Sequence, residues 1–257
     1  MAVQRGARRS PSGRVANNKQ TSATETTRKV SVGRWAWEWT KSIVIAFTLF
    51  LVIRTFLVEA FRIPTGSMEN TLLVGDFLLV NKAVYGAQVP LTHSRLPQFR
   101  QPQRGDVVVF VPPHEPDKNY VKRLVGLAGD TLEMRAKVLY RNSQAQVEPY
   151  VRHTDPANDV YAPSMYWQCD FRPATRNESE CRPTRDNWGP IVVPPGHFMM
   201  LGDNRDDSED SRYWGFVNRN AVKGEPLFIY YSFDSSTLRP FPWLTQIRWG
   251  RIGGTIH

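Results

Sequence analysis

Apolar positions along this chain fall into two regimes. From Ala36 to Val58 they form a nearly continuous block, unbroken from Ser42 to Ile53 and resumed from Thr55 to Val58 beyond Arg54. After residue 60 they come in short runs: Phe77 to Val80, Asp106 to Val111, Tyr120 to Leu127, Thr131 to Met134, Ile191 to Val193, Phe198 to Leu201 and Pro226 to Phe233. Gly, Pro, Asn or Asp bound nearly all of these runs, which is the signature of β-strands. No amphipathic helix of convincing length follows residue 60. The pattern predicts a mainly β fold of two packed or partly closed antiparallel sheets, preceded by one transmembrane helix.

A bilayer crossing takes about 20 residues, so the core run alone is short and its flanks complete the span. Trp35, Trp37 and Trp39 suit a headgroup layer at one end, and Arg54 can snorkel to the interface at the other. The rival is a cleavable signal peptide, with Val58 and Ala60 before the cut, but the basic stretch ahead of it is long for that role. The chain thus divides into a basic tail over 1–34, an anchor over 35–58, a β domain over 59–135 and 190–257, and an Arg/Asn/Asp/Pro/Thr-rich insertion over 136–189.

The formal net charge of +9 changes this picture only through its location. Eight basic residues of the first 34, against Glu25 alone, account for +7 of it. That tail is Ser/Thr/Asn/Arg-rich, lacks apolar periodicity and reads as disordered, which argues against a nucleic-acid-binding domain. Positive charge ahead of the span predicts a cytoplasmic N-terminus and an exported remainder. Cys169 and Cys181 lack zinc-site spacing; in an exported domain they either close a disulfide or remain two buried thiols.

Three segments carry candidate chemistry. In Ile63-Pro64-Thr65-Gly66-Ser67-Met68, Pro64 and Gly66 restrict and free the backbone so that Ser67 can stand exposed, although a serine beside a glycine is ordinarily a turn. In Tyr120-Val121-Lys122-Arg123-Leu124-Val125, strand alternation sets Lys122 between apolar neighbours, which disfavours its ammonium form; the bland alternative is a solvated basic pair on an edge strand. The segment Gly202 to Gly215 is dense in short polar side chains. Its frame fails as a calcium loop, with Arg205 at a ligand position and no closing glutamate. Asp203, Arg205, Asp210 and Arg212 alternate in sign closely enough for an internal ion-pair network, with Ser208 inside it. His93, His114, His153, His197 and His257 show neither triad nor metal spacing, and no metal site is expected.

The order of apolar anchor, Ser67 motif, Asp76 and Asn81 segment, Lys122 motif and Gly202 to Gly215 loop closely resembles bacterial type I signal peptidases. The resemblance runs from the anchor to the C-terminus and is weakest in the insertion. It implies a serine endopeptidase that removes signal peptides from secreted preproteins, with Ser67 as nucleophile and Lys122 as general base. Ser208 would orient the lysine amine, the Ser67 amide and Thr65 side chain would form the oxyanion hole, and Asp203, Arg205, Asp210 and Arg212 would support them. It further implies no cofactor, an extended substrate beside Phe61 to Thr65 with small residues at −3 and −1, and residence in the bacterial inner membrane near the secretion translocon. By position, Ile63, Met68, Leu72, Tyr120 and Val121 are pocket candidates. Asn70 stands where the family usually has proline, and Thr65 where serine is common. Near the C-terminus, Phe241, Trp243, Leu244, Ile247 and Trp249, with Arg239, Arg248 and Arg251, either rest on a bilayer or belong to sheet core. The rivals are a self-cleaving repressor, for which no DNA-binding module is present, and a non-catalytic membrane-anchored β binding module.

Overall fold

The computed structural model describes residues 32–256 apart from 91, 93, 157–158 and 174–180; the basic tail up to residue 31, His93 and His257 lie outside the described residues. The chain separates into two units, Met1–Ile45 and Ala46–His257. Helix α1 spans Val32–Phe56, and most of its apolar side chains, Ile43, Phe47 and Phe50 among them, are exposed. At 1.5 Å per residue, the 24 residues Gly33–Phe56 reach about 36 Å, enough for a hydrocarbon core of about 30 Å.

Everything after α1 is organised by two antiparallel sheets. The larger contains β1 (Val58–Arg62), β2 (Asp76–Asn81), β3 (Val107–Phe110), β4 (Tyr120–Gly126), β9 (His197–Leu201), β10 (Val217–Asn218) and β11 (Val222–Ser232), in the order β1-β2-β11-β3-β4-β9-β10. The smaller contains β5 (Thr131–Arg135), β6 (Val138–Arg141), β7 (Gln144–Ala145) and β8 (Trp188–Val192), in the order β7-β6-β5-β8. The mainly β, two-sheet architecture read from the run pattern is therefore what the chain adopts. Helix after α1 is confined to short pieces, α2 (Ser211–Trp214), α3 (Pro242–Thr245) and several 3₁₀ turns.

Strand sequences follow their position in the sheet. β2 alternates buried and half-buried residues, whereas β3, enclosed between β4 and β11, is the unbroken run Val-Val-Val-Phe and is buried throughout. β11 pairs with β2 over one part and β3 over the other, with register irregularities between Pro226 and Phe228 and between Ile229 and Tyr231. Such bulges bend a strand and let the sheet curl. Ile63, Met68, Leu72, Leu78, Val80, Val107, Val109 and Ile229 pack as one core cluster under this curl. A second lies between the sheets, around Leu132, Met134, Trp188, Ile191, Met199 and Leu201.

Residues 136–189 contribute β6, β7, the 3₁₀ segment Pro163–Phe171 and the start of β8, so about half of the smaller sheet comes from this polar stretch. Cys169 and Cys181 are bonded to each other, with Cα atoms 5.8 Å apart. Buried Asp76, at the start of β2, accepts from Ser232 Oγ at 2.7 Å and pairs with Arg251 at 2.6 Å, which fastens the C-terminal segment to the turn that follows Ser67. Phe241, Trp243, Leu244 and Trp249 are exposed and are not sheet core; Ile247 is half-buried and bridges Phe233.

Candidate active site

Ser67 stands where β1 gives way to a turn. Beyond Arg62 the chain stays extended, pinned to β2 by Ile63 N–H donating to Asp76 O at 2.9 Å and Gly75 N–H to Ile63 O at 3.0 Å. It then enters a 3₁₀ turn, Gly66–Met68. Ile63 and Met68 drop into the core while Pro64 and Thr65 remain exposed, so apolar anchors on either side hold the turn at the surface. Thr65 Oγ1 lies 3.5 Å from Ser67 Oγ.

Lys122 is on β4, whose neighbours are β3 and β9, so the solvated edge-strand alternative does not apply. The residue is 3 % exposed. Its Nζ donates to Ser208 Oγ at 3.0 Å and sits 5.9 Å from the centre of the Tyr120 ring. Burial pushes the ammonium down to about 8; Asp210, Glu209 and Asp203 oppose that fall, and Arg212 adds to it.

The Gly202 to Gly215 segment wraps both residues. Asn204 donates through its backbone N–H to Ser67 O at 3.1 Å and through Nδ2 to Gly66 O at 3.2 Å, tying this loop to the serine turn. A Cβ on Gly202 would fall on the Ser208 side chain and the Ser67 carbonyl, so only glycine allows these approaches together. Of the four alternating charges, only Asp210 and Arg212 pair with each other, at 2.8 Å. Burial raises the Asp210 carboxyl, but the Arg212 guanidinium, Lys122 and the Gly202 amide together hold it below its ordinary value.

Asp203 and Arg205 take partners from outside the loop, a correction to the network expected from local sign alternation. Arg123 grips Asp203 with two donors, at 2.7 and 2.8 Å, and its guanidinium lies 3.8 Å from the centre of the Tyr150 ring. Arg205 pairs with Glu148 at 2.6 Å. Arg123, Glu148 and Tyr150 are thus supports that the sequence reading missed. The sequence signal for Arg123 was its place beside Lys122 in one strand, which sends the two side chains to opposite faces.

A cleft of about 360 Å³ runs between the Phe61–Met68 segment and Lys118–Lys122, and Ser67 and Lys122 both line it. Ile63, Met68, Tyr120, Val121 and Thr65 also line it, joined by Phe61, Arg62, Lys118, Asn119, Asp207 and Glu209, which had not been singled out as pocket residues. Leu72 is absent from the cleft. It is fully buried in the cluster behind Met68, because the turn after Ser67 directs it inward. The Cys169–Cys181 bond borders a separate depression beside Arg182 and Trp188. Among the described residues no group of three or more His, Cys, Asp or Glu side chains is placed to hold a metal ion. Asp206, for instance, binds Lys137 at 2.9 Å and faces His153 at 3.2 Å.

Known proteins resemble this chain over most of its length. Residues 36–231 match the family described as signal peptidase, peptidase S26. A signal peptidase I of Pseudomonas aeruginosa is 36% identical over 234 residues, which cover 86% of this chain and 79% of that protein. One of Buchnera aphidicola is 34% identical over 261 residues, covering 84% of this chain and 82% of the relative. A crystal structure of a signal peptidase I from Enterococcus faecalis aligns with 49% of this chain and 97% of its own, at 29% identity and a TM-score of 0.33. With a family match that begins inside α1 and runs through to β11, the chain belongs to the signal peptidase family, peptidase S26.

Proposed function

We propose that this chain is a membrane-anchored serine endopeptidase that removes N-terminal signal peptides from exported preproteins, with Ser67 as nucleophile and Lys122 as general base. The observation that carries the reading is a lysine 3 % exposed, its Nζ donating to Ser208 Oγ, at the wall of the cleft that also contains Ser67. A nucleophilic hydroxyl needs a neutral base, and a solvated lysine is almost wholly charged at neutral pH. Burial supplies the neutral fraction. Neutral Lys122 takes the Ser67 proton as Oγ attacks the carbonyl of the scissile bond. The Ser67 amide and Thr65 Oγ1 donate to the oxyanion, and one such donor contributes about 3 kcal/mol. The Lys122 ammonium then gives its proton to the departing amine, leaving an ester on Ser67. Water, deprotonated by Lys122, opens that ester and restores both groups.

The substrate lies extended along Phe61 to Thr65, with residues −3 and −1 facing the apolar patch of Ile63, Met68, Tyr120 and Val121. Small residues fit there because Ile63 and Met68 already close the floor from below. In this reading the enzyme sits in the inner membrane near the translocon, with its N-terminus in the cytoplasm and the β domain on the outer side; the apolar length of α1 and the basic residues ahead of it support that reading. Asp203, Arg205, Asp210 and Arg212, with Arg123, hold the loop that presents Ser208. The test is precursor processing in membranes carrying Ser67→Ala or Lys122→Ala. Both variants are expected to accumulate precursor. If both are folded and abundant and still release mature protein at the normal rate, the catalytic reading fails and a non-catalytic binding module takes its place.

A further inference from the structure

A second recess, which shares no lining residue with the cleft, opens beside the last turns of α1. It measures about 400 Å³ and is bordered by Leu51, Arg54 and Thr55 of the helix and by side chains from the β domain. Four of its border residues are cationic, Arg54, Lys82, Arg95 and Lys223, against the single acid Glu59. The cations differ in what already satisfies them. Lys82 is committed: it pairs with Glu59 at 3.2 Å and donates to Arg54 O at 2.7 Å, where a cation complements the negative end of the helix dipole.

Arg95 is satisfied in hydrogen bonds but not in charge. It donates to the carbonyls of Gly86, Asn220 and Val222, and no carboxylate is paired with it among the described residues. Burial lowers its affinity for a proton, with Arg219 adding to the effect, as expected of a cation that lacks an anion. Arg54 and Lys223 likewise have no acidic partner among the described residues. Three cations therefore share one recess without a counter-charge, and one of them stands on the terminal turn of an apolar helix. That location selects the ligand, because the residues just above hydrocarbon are level with lipid phosphates.

We propose that this recess binds the phosphate of an anionic phospholipid, with Arg54, Arg95 and Lys223 around the headgroup and Leu51 beside the first carbons of the acyl chains. The proposal rests on α1 crossing a bilayer. It would make anionic lipid a ligand that fixes the β domain at the membrane surface. A membrane-surface cation contributes about 1 kcal/mol toward anionic lipid, so each one removed should weaken binding about fivefold.

The test uses the full chain in neutral detergent, titrated with phosphatidylglycerol or phosphatidylcholine and read by native mass spectrometry. Phosphatidylglycerol should bind at least tenfold more tightly, and Arg54→Gln with Lys223→Gln should erase that preference while cleavage of a soluble peptide is unchanged. Lys223→Gln alone serves if the double variant does not fold, with about a fivefold loss expected. Equal binding of the two lipids, or a full preference in a folded variant, overturns the proposal. Displacement of phosphatidylglycerol by millimolar inorganic phosphate also overturns it, since the recess would then be a site for soluble anions. Flotation with purely phosphatidylcholine vesicles separates the underlying reading: a chain that fails to float is not membrane-anchored, whereas one that floats without lipid preference lacks only the headgroup site.

Discussion

The acid limb of the pH-activity profile tests the proposed base most directly. Lys122 is moved from 10.5 in the unfolded chain to about 8 in the fold, chiefly by burial. That difference corresponds to about 3 kcal/mol disfavouring the buried ammonium. With one titrating group, about half of the molecules hold a neutral Lys122 at pH 8, about a tenth at pH 7 and about a hundredth at pH 6. The kcat/KM for a peptide with alanine at −3 and −1, measured in detergent from pH 6 to 9, should fall about tenfold per pH unit below the limb. A profile flat down to pH 6 refutes the assignment.

The sign can be checked in two further ways. Between about pH 8 and 10.5 the folded state binds fewer protons than the unfolded state, so this group makes stability rise with pH across that window. Below it the penalty is fully present. Glu209 is exposed at the cleft and its carboxylate favours the Lys122 ammonium. Glu209→Gln should therefore move the limb to lower pH and raise the share of plateau activity retained at pH 7. A limb that stays in place or moves upward would show that the lysine does not control it.

Ser208→Ala removes the hydroxyl that accepts from the buried Lys122 amine, and a hydrogen bond to a charged group contributes about 1.5 to 3 kcal/mol. Steady-state kinetics should show kcat lower by about 10- to 150-fold with KM little changed; an equal loss expressed in KM would point to substrate binding instead. Asp203→Asn leaves the Arg123 guanidinium buried without its carboxylate, a change that costs about 3 to 5 kcal/mol and lowers Tm by roughly 6 to 20 °C in a scan of the detergent-solubilised chain. Gly202→Ala drives a methyl group into Ser208 and the Ser67 carbonyl, and a displacement near 1 Å should lower kcat about 100-fold without a comparable loss of Tm; wild-type kcat in that variant would show that the loop can yield.

What could be read from the sequence depended on how far the determining contact reaches along the chain. The runs that became β2, β3, β4, β9 and β11 were legible because alternation and bounding turns are local properties. β1 was hidden, since Val58–Arg62 follows directly on the anchor block and its apolar residues continue that pattern. The strands β6 and β7 were hidden because they are short, four and two residues, and ladder pairing of β6 with β5 and of β7 with β6 gives them their structure. The same division holds around the cleft. Ser67 and Lys122 stand out as reactive side chains in unusual local settings, but the loop that holds them is secured by contacts 80 and 57 positions apart, Arg123 to Asp203 and Arg205 to Glu148. Local charge alternation pointed to pairs inside the loop, yet Arg123 reaches Asp203 because β4 and β9 are neighbours and Leu201, opposite Arg123 in the ladder, is two residues before Asp203. Strand register, rather than proximity in sequence, chooses the partner of a buried charge here. It also makes Arg123 a better probe of the loop than any residue within it.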